Sequence, residues 1–285
     1  MSIKESNVSF ISPTDKENKV LESLSEYYKQ YIEMSWSERR FLNSLVLREK
    51  PKKVLELGVS AGGSDVVILN ALKDNPQAKL YSIDIMRNYY KEPEKPVGFV
   101  VDNYPKLKVR HKLYREGLAC DFMDEIGGGI DCCFIDTAHN NPGEILDMVM
   151  VLPYIKDDCL IIFHDTSLHV LCCADEFHTN AILMSVLKGE KILPADYSDL
   201  NVYDKIAKKS HKGFFPNIGA VKLDKNFKEQ VWDLFNALII PWAYYPSDEE
   251  LLRVKKHIEK HYSKYLCDLF DNIIKCKKMK KEGRY

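Results

Sequence analysis

Two short and almost uninterrupted apolar runs constrain the fold of this chain more than any other feature. They are IDCCFID over residues 130–136 and CLIIFHD over residues 159–165. A strand with one face in water alternates apolar and polar residues, whereas a strand that is covered on both faces is apolar throughout. Both runs therefore predict buried strands of a parallel sheet with helices packed on its two faces.

Strand-like runs alternate with helical patterns through the centre of the chain. Further strands are expected at residues 53–57, 80–85 and 218–223 and within 107–113. A glycine turn and a helix follow the first of them. This alternation predicts an α/β fold, namely a Rossmann-like, doubly wound and mostly parallel sheet whose crossovers are right-handed.

Three regions follow from these patterns. Residues 1–50 are predicted to form an N-terminal helical region, and residues 51–225 to form the Rossmann-like domain. Within that domain the regular pattern is lost over 170–216, which is expected to be an inserted cap over the site. Residues 226–285 are predicted to be a C-terminal extension with one long amphipathic helix. The terminal helices are expected to pack on their own domain or, alternatively, to pair two subunits of a homo-oligomer.

Composition excludes several classes of partner. The net charge is −1, so no basic excess indicates a nucleic-acid partner. No segment approaches the roughly 18 apolar residues that a membrane helix needs, and the N-terminus does not resemble a signal peptide. The eight cysteines form no C-x-x-C pair, which favours a reducing, cytoplasmic location.

The turn after the first central strand has the sequence VLELGVSAGGS, residues 54–64. Gly58, Gly62 and Gly63 allow a sharp turn and the close approach of a ligand at the start of a helix. Their spacing is G-x-x-x-G-G and differs from the G-x-G-x-x-G that binds a dinucleotide pyrophosphate. The turn therefore indicates a cofactor site other than that of NAD.

Two acidic residues flank this turn. A carboxylate at Glu56 would repel a pyrophosphate but attract an ammonium or sulfonium group. Asp84 ends the second strand, where a carboxylate can accept both hydroxyls of a ribose. Taken singly, the glycines fit a plain turn and Asp84 fits a helix cap. Together they indicate S-adenosylmethionine (SAM) rather than NAD.

These residues resemble a known family. ELGVSAGGS is similar to motif I of the class I SAM-dependent methyltransferases, and especially to its form in catechol and caffeoyl-CoA O-methyltransferases. The block IDTAHNNPGEILDMVMVLPYIKDDCLIIFHD resembles one found in bacterial macrocin-type sugar O-methyltransferases and cephalosporin-biosynthesis enzymes. The resemblance covers roughly residues 41–168, with a weaker echo in FPNIGAVKL.

The resemblance implies a set of cofactor-binding residues. Glu56, Gly58 and Gly62 would line the methionine moiety, Ser64 would begin the helix, and Asp84 would hold the ribose. The stretch after Gly117 would border the adenine. The expected SAM-binding residues are Glu56, Gly58, Gly62, Gly63, Ser64 and Asp84.

Asp136 and Asp165 each end a predicted strand at the edge of the sheet where ligands of open α/β folds bind. Two carboxylates there can share a divalent cation that acidifies an acceptor hydroxyl. By the resemblance, the ligands are expected to be Asp136, His164 and Asp165, and the ion Mg²⁺. His164 stands where many relatives have an acid, and a histidine suits zinc or iron better than magnesium.

His139, three residues after Asp136, is predicted to be the general base, with Asp136 as the second catalytic residue. An imidazole of ordinary pKa can take the acceptor's proton during methyl transfer. The alternatives are that His139 only hydrogen-bonds the loop backbone and that His164 only supports the site from beneath.

The sequence thus predicts a SAM-dependent methyltransferase that O-methylates a hydroxylated small molecule or sugar, with a divalent metal as a second cofactor. The resemblance implies a setting in natural-product or glycan biosynthesis. Three alternatives remain open: a metal-independent methyltransferase that uses His139 alone, a nucleotide-binding oxidoreductase, and a SAM-binding protein without catalytic activity.

Overall fold

The computed structural model describes residues 7–172, 176–204, 209–212 and 215–284. The strands within these ranges are β1 (Val8–Ile11), β2 (Lys53–Leu57), β3 (Lys79–Asp84), β4 (His111–Arg115), β5 (Ile130–Ile135), β6 (Ile155–His164), β7 (Gly189–Pro194), β8 (Asn201–Asp204), β9 (Lys209–Lys212) and β10 (Ile218–Leu223). The α-helices are α1 (Asp15–Glu22), α2 (Trp36–Glu49), α3 (Gly63–Ala71), α4 (Pro105–Lys108), α5 (Ala119–Ile126), α6 (Gly143–Val151), α7 (Leu168–Leu171), α8 (Thr179–Val186), α9 (Val231–Ala237), α10 (Asp248–His261) and α11 (Lys264–Lys281). Short 3₁₀ helices occupy Glu26–Gln30, Phe99–Asn103, Leu152–Tyr154 and Phe227–Gln230.

The main sheet has eight strands in the order β1-β7-β10-β6-β5-β2-β3-β4. The five strands from β6 to β4 are parallel, and β10 runs antiparallel between β6 and β7. Chain order reverses between β2 and β5, and such a switch point opens a crevice at the carboxyl ends of the strands. The predicted Rossmann-like, mostly parallel sheet is confirmed.

Both faces of the central strands are covered, as the apolar runs predict. Cys132 and Phe134 of β5 belong to a core shared with α1, α2 and α3 on one face. Cys133 and Ile135 of the same strand belong to a second core, shared with α5, α6 and the C-terminal helices. Because neighbouring residues of a strand point to opposite faces, a strand between two helical layers must be apolar at every position.

The N-terminal region and the predicted cap differ from their predictions. Part of the predicted cap, β7, is a strand of the main sheet, and the predicted helical N-terminus supplies the edge strand β1 that pairs with it. Both strands were missed because their pairing partners lie far away in the chain, and β1 has only four residues. Residues 173–175, 205–208 and 213–214 of the predicted cap lie outside the described residues.

The C-terminal apolar stripe forms two helices instead of the single long one predicted. Tyr262 is extended, and the Ser263 side chain accepts a hydrogen bond from the backbone N–H of Leu266, which starts α11. The stripe stays in phase across the break and packs on α5, α6 and α9 of the same chain. Like every other helix of the described residues, α11 is too short or too polar to cross a membrane.

Candidate active site

The glycine turn between β2 and α3 is held tightly against the neighbouring strand ends. Gly58 has a φ of 81°, a conformation that L-residues with a side chain rarely adopt. Its N–H donates to the carbonyl of Ile83 (3.0 Å), and a Cβ there would overlap the carbonyl oxygen of Asp136. The turn and the end of β5 can therefore approach this closely only with glycine at position 58.

The Asp84 carboxylate, at the end of β3, braces the same turn. Its Oδ2 accepts hydrogen bonds from the backbone N–H groups of Val59 (2.9 Å) and Ser60 (3.0 Å). Its Oδ1 accepts one bond, from the N–H of Met86 (2.8 Å), and so retains acceptor capacity. Asp84 both shapes the turn and lines the cavity beside it.

Glu56 supports the turn from beneath instead of facing a ligand. It is fully buried, and Ser64 donates a hydrogen bond to its Oε1. Burial and the adjacent Asp65 raise the pKa of Glu56 well above its ordinary value, which favours the neutral form of this carboxyl. For Asp65 burial acts in the same direction, but the facing His111 holds its pKa at about 2. The predicted attraction of Glu56 for an ammonium group requires the charged form, which this shift disfavours.

A cavity of about 470 Å³ opens beside the turn at the switch point of the sheet. This volume is typical of small-molecule sites. Of the residues predicted to form the site, those that line it are Gly58, Gly63, Ser64, Asp84, Asp136 and His139. The remaining four, Glu56, Gly62, His164 and Asp165, are not among its lining residues.

Three of the predicted residues form a compact cluster of candidate metal ligands, namely Asp136, His139 and Asp165. One ligand atom of each lies within 4.8 Å of the others. The Nε2 atom of His139 is 3.3 Å from Oδ2 of Asp165, and its Nδ1 atom is 3.9 Å from Oδ1 of Asp136. The parallel arrangement of β5 and β6 brings the two aspartates together, because both follow strand ends at one edge of the sheet.

The backbone of the cluster is held in a costly conformation. His139 has a φ of 58° and Asp165 a φ of 55°, both in the left-handed region. Such residues cost on the order of 1 kcal/mol each and are concentrated at functional sites. Asn217, at the start of β10, donates from Nδ2 to Oδ1 of Asp165 (2.7 Å) and fixes that carboxylate.

His164, which was predicted to be a metal ligand, lies next to the cluster and faces three carboxylates. Its Nδ1 atom lies 3.3 Å from Oδ2 of Asp136 and 3.4 Å from Oδ1 of Asp165, while its Nε2 atom is 3.4 Å from Oε1 of Glu38. Burial opposes a charge on this imidazole, but the three carboxylates raise its pKa well above the ordinary value. Both ring nitrogens of His164 therefore face carboxylates, two of them belonging to the cluster.

The cluster also holds a proton on His139. Burial lowers the pKa of this imidazole, but the facing Glu144 and the carboxylates of Asp136 and Asp165 raise it to about 9. The carboxyl of Asp165 is shifted the opposite way, because His164 outweighs burial and brings its pKa to about 2. A site of this kind draws positive charge to itself, in the form of protons or of a cation.

The sequence did not identify Glu144 or Asn180 as site residues, and it did not predict that Glu38 faces His164. Glu144 is fully buried; its Oε1 accepts from Nδ2 of Asn180 (2.8 Å) and lies 3.5 Å from Nδ1 of His139. The two acids of the otherwise apolar helix GEILDMVMV were a usable signal, since charged residues are rarely buried without a partner. Glu38 is the capping-box residue of α2, with Oε2 accepting from the Ser35 N–H (2.6 Å).

A segment from the C-terminal region closes one side of the cavity. Asn141 donates from Nδ2 to the carbonyls of Ile240 (2.8 Å) and Pro241 (3.2 Å), and its own carbonyl accepts from the N–H of Ala243 (2.8 Å). These bonds attach residues 240–243 to the loop after β5. Tyr244, which follows directly, lines the cavity.

Comparison with known proteins finds similar solved structures. One matching solved structure is the O-methyltransferase TomG from Streptomyces achromogenes in complex with SAM: 11% identity, 75% of this chain and 92% of that chain covered, TM-score 0.46. Another is an O-methyltransferase from Bacillus cereus in complex with S-adenosylhomocysteine: 16% identity, 74% and 92% covered, TM-score 0.45. No curated protein sequence matches the chain.

A family model described as a methyltransferase domain matches residues 55–166. The match begins inside β2 and ends just after Asp165, so it contains the glycine turn, Asp84 and all three residues of the cluster. It confirms the class that the glycine spacing indicated. Residues 55–166 of this chain are thus similar to a methyltransferase domain.

Proposed function

We propose that the protein is a SAM-dependent O-methyltransferase that acts on a hydroxylated small molecule or sugar. The observation that carries this proposal is the position of the cluster of Asp136, His139 and Asp165. It adjoins the same cavity that the glycine turn and Asp84 line. A methyl donor held at the turn would therefore present its methyl group near groups that can manage the acceptor's proton.

The cavity suits the charge of the proposed cofactor. The glycine turn from 58 to 64 contains no lysine or arginine, and a carboxylate, Asp84, braces it. A pyrophosphate would be repelled there, whereas the cationic sulfonium of SAM would not. The retained acceptor capacity of Asp84 matches a ribose hydroxyl.

The rate of methyl transfer depends mainly on how the two reactants are positioned. The acceptor oxygen bonds to the methyl carbon while the carbon–sulfur bond breaks, and the acceptor's hydroxyl proton leaves to a base. The three reacting atoms must lie in line, so a cavity that holds both reactants supplies much of the rate. The left-handed backbone at His139 and Asp165 keeps the facing groups in fixed positions.

The donor set fits a divalent cation. Asp136, His139 and Asp165 would hold it, and when bound it would lower the pKa of the acceptor hydroxyl. Two carboxylates and one imidazole favour manganese, iron or zinc over the magnesium that the family resemblance implies. His164 and Glu144 would act by orienting the ligands, since each faces a ligand side chain.

The metal-independent alternative gives His139 the part of general base. That alternative has a distinct consequence, because the pKa of this imidazole is raised to about 9. At neutral pH His139 already holds a proton and cannot take the hydroxyl proton of the acceptor. A base mechanism would therefore gain activity as the pH rises toward 9.

A transfer assay separates these possibilities. Labelled SAM is incubated with a panel of hydroxylated aromatics and sugars, with EDTA and then with Mg²⁺, Mn²⁺ or Zn²⁺ restored. We expect transfer that EDTA abolishes, that a transition metal restores best, and that Asp165→Asn removes. Full transfer in EDTA would exclude the metal, and binding of SAM without transfer to any compound would favour a non-catalytic protein.

A further inference from the structure

The last helix of the chain binds the segment that closes one side of the cavity. Lys277 of α11 donates from Nζ to the carbonyls of Ile239 (2.7 Å) and Ile240 (2.6 Å). Its ammonium also lies 5.6 Å from the centre of the Trp242 ring, within the range of a cation–π contact. Because hydrogen bonds from a charged donor are stronger than those between neutral groups, these bonds should fix the position of residues 239–242.

The same helix contacts the following residues at two further points. Lys281, one turn later, lies 4.6 Å from the centre of the Tyr245 ring, and Lys278 pairs with Asp248 (3.3 Å). Lys278 and Lys281 are exposed, whereas Lys277 is half-buried. Since exposed ion pairs contribute little, Lys277 is expected to be the main attachment of the segment to α11.

The carbonyl of Ile240 connects this helix to the loop that carries the cluster. It accepts a second hydrogen bond, from Nδ2 of Asn141 (2.8 Å), and Asn141 is two residues after His139. The segment is therefore held between α11 and the loop after β5. Tyr244 and Pro246, which follow the segment, line the cavity. A shift of the segment would move this wall.

The hydroxyl end of Tyr244 fits closely against the start of α6. A Cβ added at Gly143 would lie 2.9 Å from the Tyr244 hydroxyl and 2.7 Å from Cβ of Ala138. Both Gly143 and Ala138 line the cavity as well. Because close-packed groups cannot absorb a displacement locally, a shift of Tyr244 should change the shape of the cavity.

We infer that Lys277 is a positioning residue for the ligand of the cavity. It is not among the lining residues and acts by placing Tyr244 in the wall. The inference rests on the proposed function, because the ligand that tests it is S-adenosylhomocysteine, the product of the methyl donor. It extends the functional unit from residues 55–166, the part similar to a methyltransferase domain, to the last helix of the chain.

The test measures the affinity for S-adenosylhomocysteine by isothermal titration. In Lys277→Met, which keeps an apolar stem but removes the donor, we expect the dissociation constant to rise at least about fivefold. Lys275→Met is the matched control, because Lys275 is exposed on the same helix, and its dissociation constant should stay within about twofold of that of the unmodified protein. Lys277→Arg retains donors for the two carbonyls and should keep most of the affinity.

Tyr244→Ala separates positioning from a general effect on the fold. If Lys277 acts through Tyr244, this variant should lose affinity as well, and the double variant should bind no more weakly than the weaker of the two single variants. Unchanged affinity in Tyr244→Ala would overturn the inference, even if Lys277→Met did not fold. Fully additive losses in the double variant would overturn it too.

A purely structural role of Lys277 has its own signature. Lys277→Met would then unfold at a lower urea concentration but bind S-adenosylhomocysteine as the unmodified protein does, and this result would also overturn the inference. Failure of the unmodified protein to bind S-adenosylhomocysteine would instead refute the proposed function.

Discussion

Gly58 and Asp136 show how single residues decide the geometry of this site. The turn after β2 and the end of β5 meet with no room for a side chain at position 58. The same contact sets where the Asp136 carboxylate lies relative to the cofactor turn. A change at position 58 should therefore act on folding and on ligand binding together.

Gly58→Ala tests this contact. We expect it to lower the free energy of unfolding by about 2 kcal/mol or more and to weaken S-adenosylhomocysteine binding at least about 100-fold, because the Cβ displaces the end of β5. Gly129→Ala is a matched control, since Gly129 has nearly the same φ, 82°, and nothing within 4 Å of an added Cβ. Equal losses in denaturant titrations of the two variants would show that backbone strain alone, and no contact with Asp136, explains the glycine.

Glu56 and Asp65 form a buried pair whose members carry different charges. Because the raised pKa favours the neutral form of Glu56, the amide in Glu56→Gln can make the same hydrogen bonds, and we expect stability within about 1 kcal/mol of the unmodified protein. Asp65→Asn removes the charge that faces His111 and should cost about 2 kcal/mol or more. The measurement is urea unfolding at pH 7. A larger loss in Glu56→Gln than in Asp65→Asn would contradict the assignment of the proton to Glu56.

At the scale of elements, what could be predicted depended on how local the signal was. β5, β6 and the glycine turn were predictable because their patterns lie within a few consecutive residues. The convergence of Asp136 and Asp165 followed from the parallel sheet alone. The pairing of β1 with β7, and the contact of Asn217 with Asp165, were not predictable because they join distant segments that share no spacing rule.

Asn141 joins two such distant elements, the loop after β5 and residues 240–243. Asn141→Ala should leave the carbonyls of Ile240 and Pro241 without their donor, and we expect a loss of about 1–3 kcal/mol in stability. Amide hydrogen exchange should accelerate in residues 240–246. Asn103→Ala, which removes one long bond at an exposed position, is the control. Unchanged exchange in that segment would mean that packing, without Asn141, holds the cavity wall.

For the whole molecule, a carboxyl group in the cavity wall makes the stability of the folded protein depend on pH. This group is Asp147, whose pKa burial raises to about 7 from the 3.8 of an ordinary aspartate, so the folded state binds more protons between these values. Stability should therefore fall as the pH rises from about 4 to about 7, by at most about 1.4 kcal/mol per unit of pKa shift. Asp147→Asn should flatten this part of the curve and unfold at a higher urea concentration at pH 8. A profile with the same slope in the variant would assign the effect to other groups.

The central claim is that the cavity at the switch point binds a SAM-type nucleoside. Isothermal titration of the purified protein with S-adenosylhomocysteine tests it most directly, with NAD as the competing ligand. The account predicts saturable one-to-one binding in the micromolar range or tighter, and no heat with NAD. Absence of binding to S-adenosylhomocysteine, or binding of NAD in its place, would contradict it.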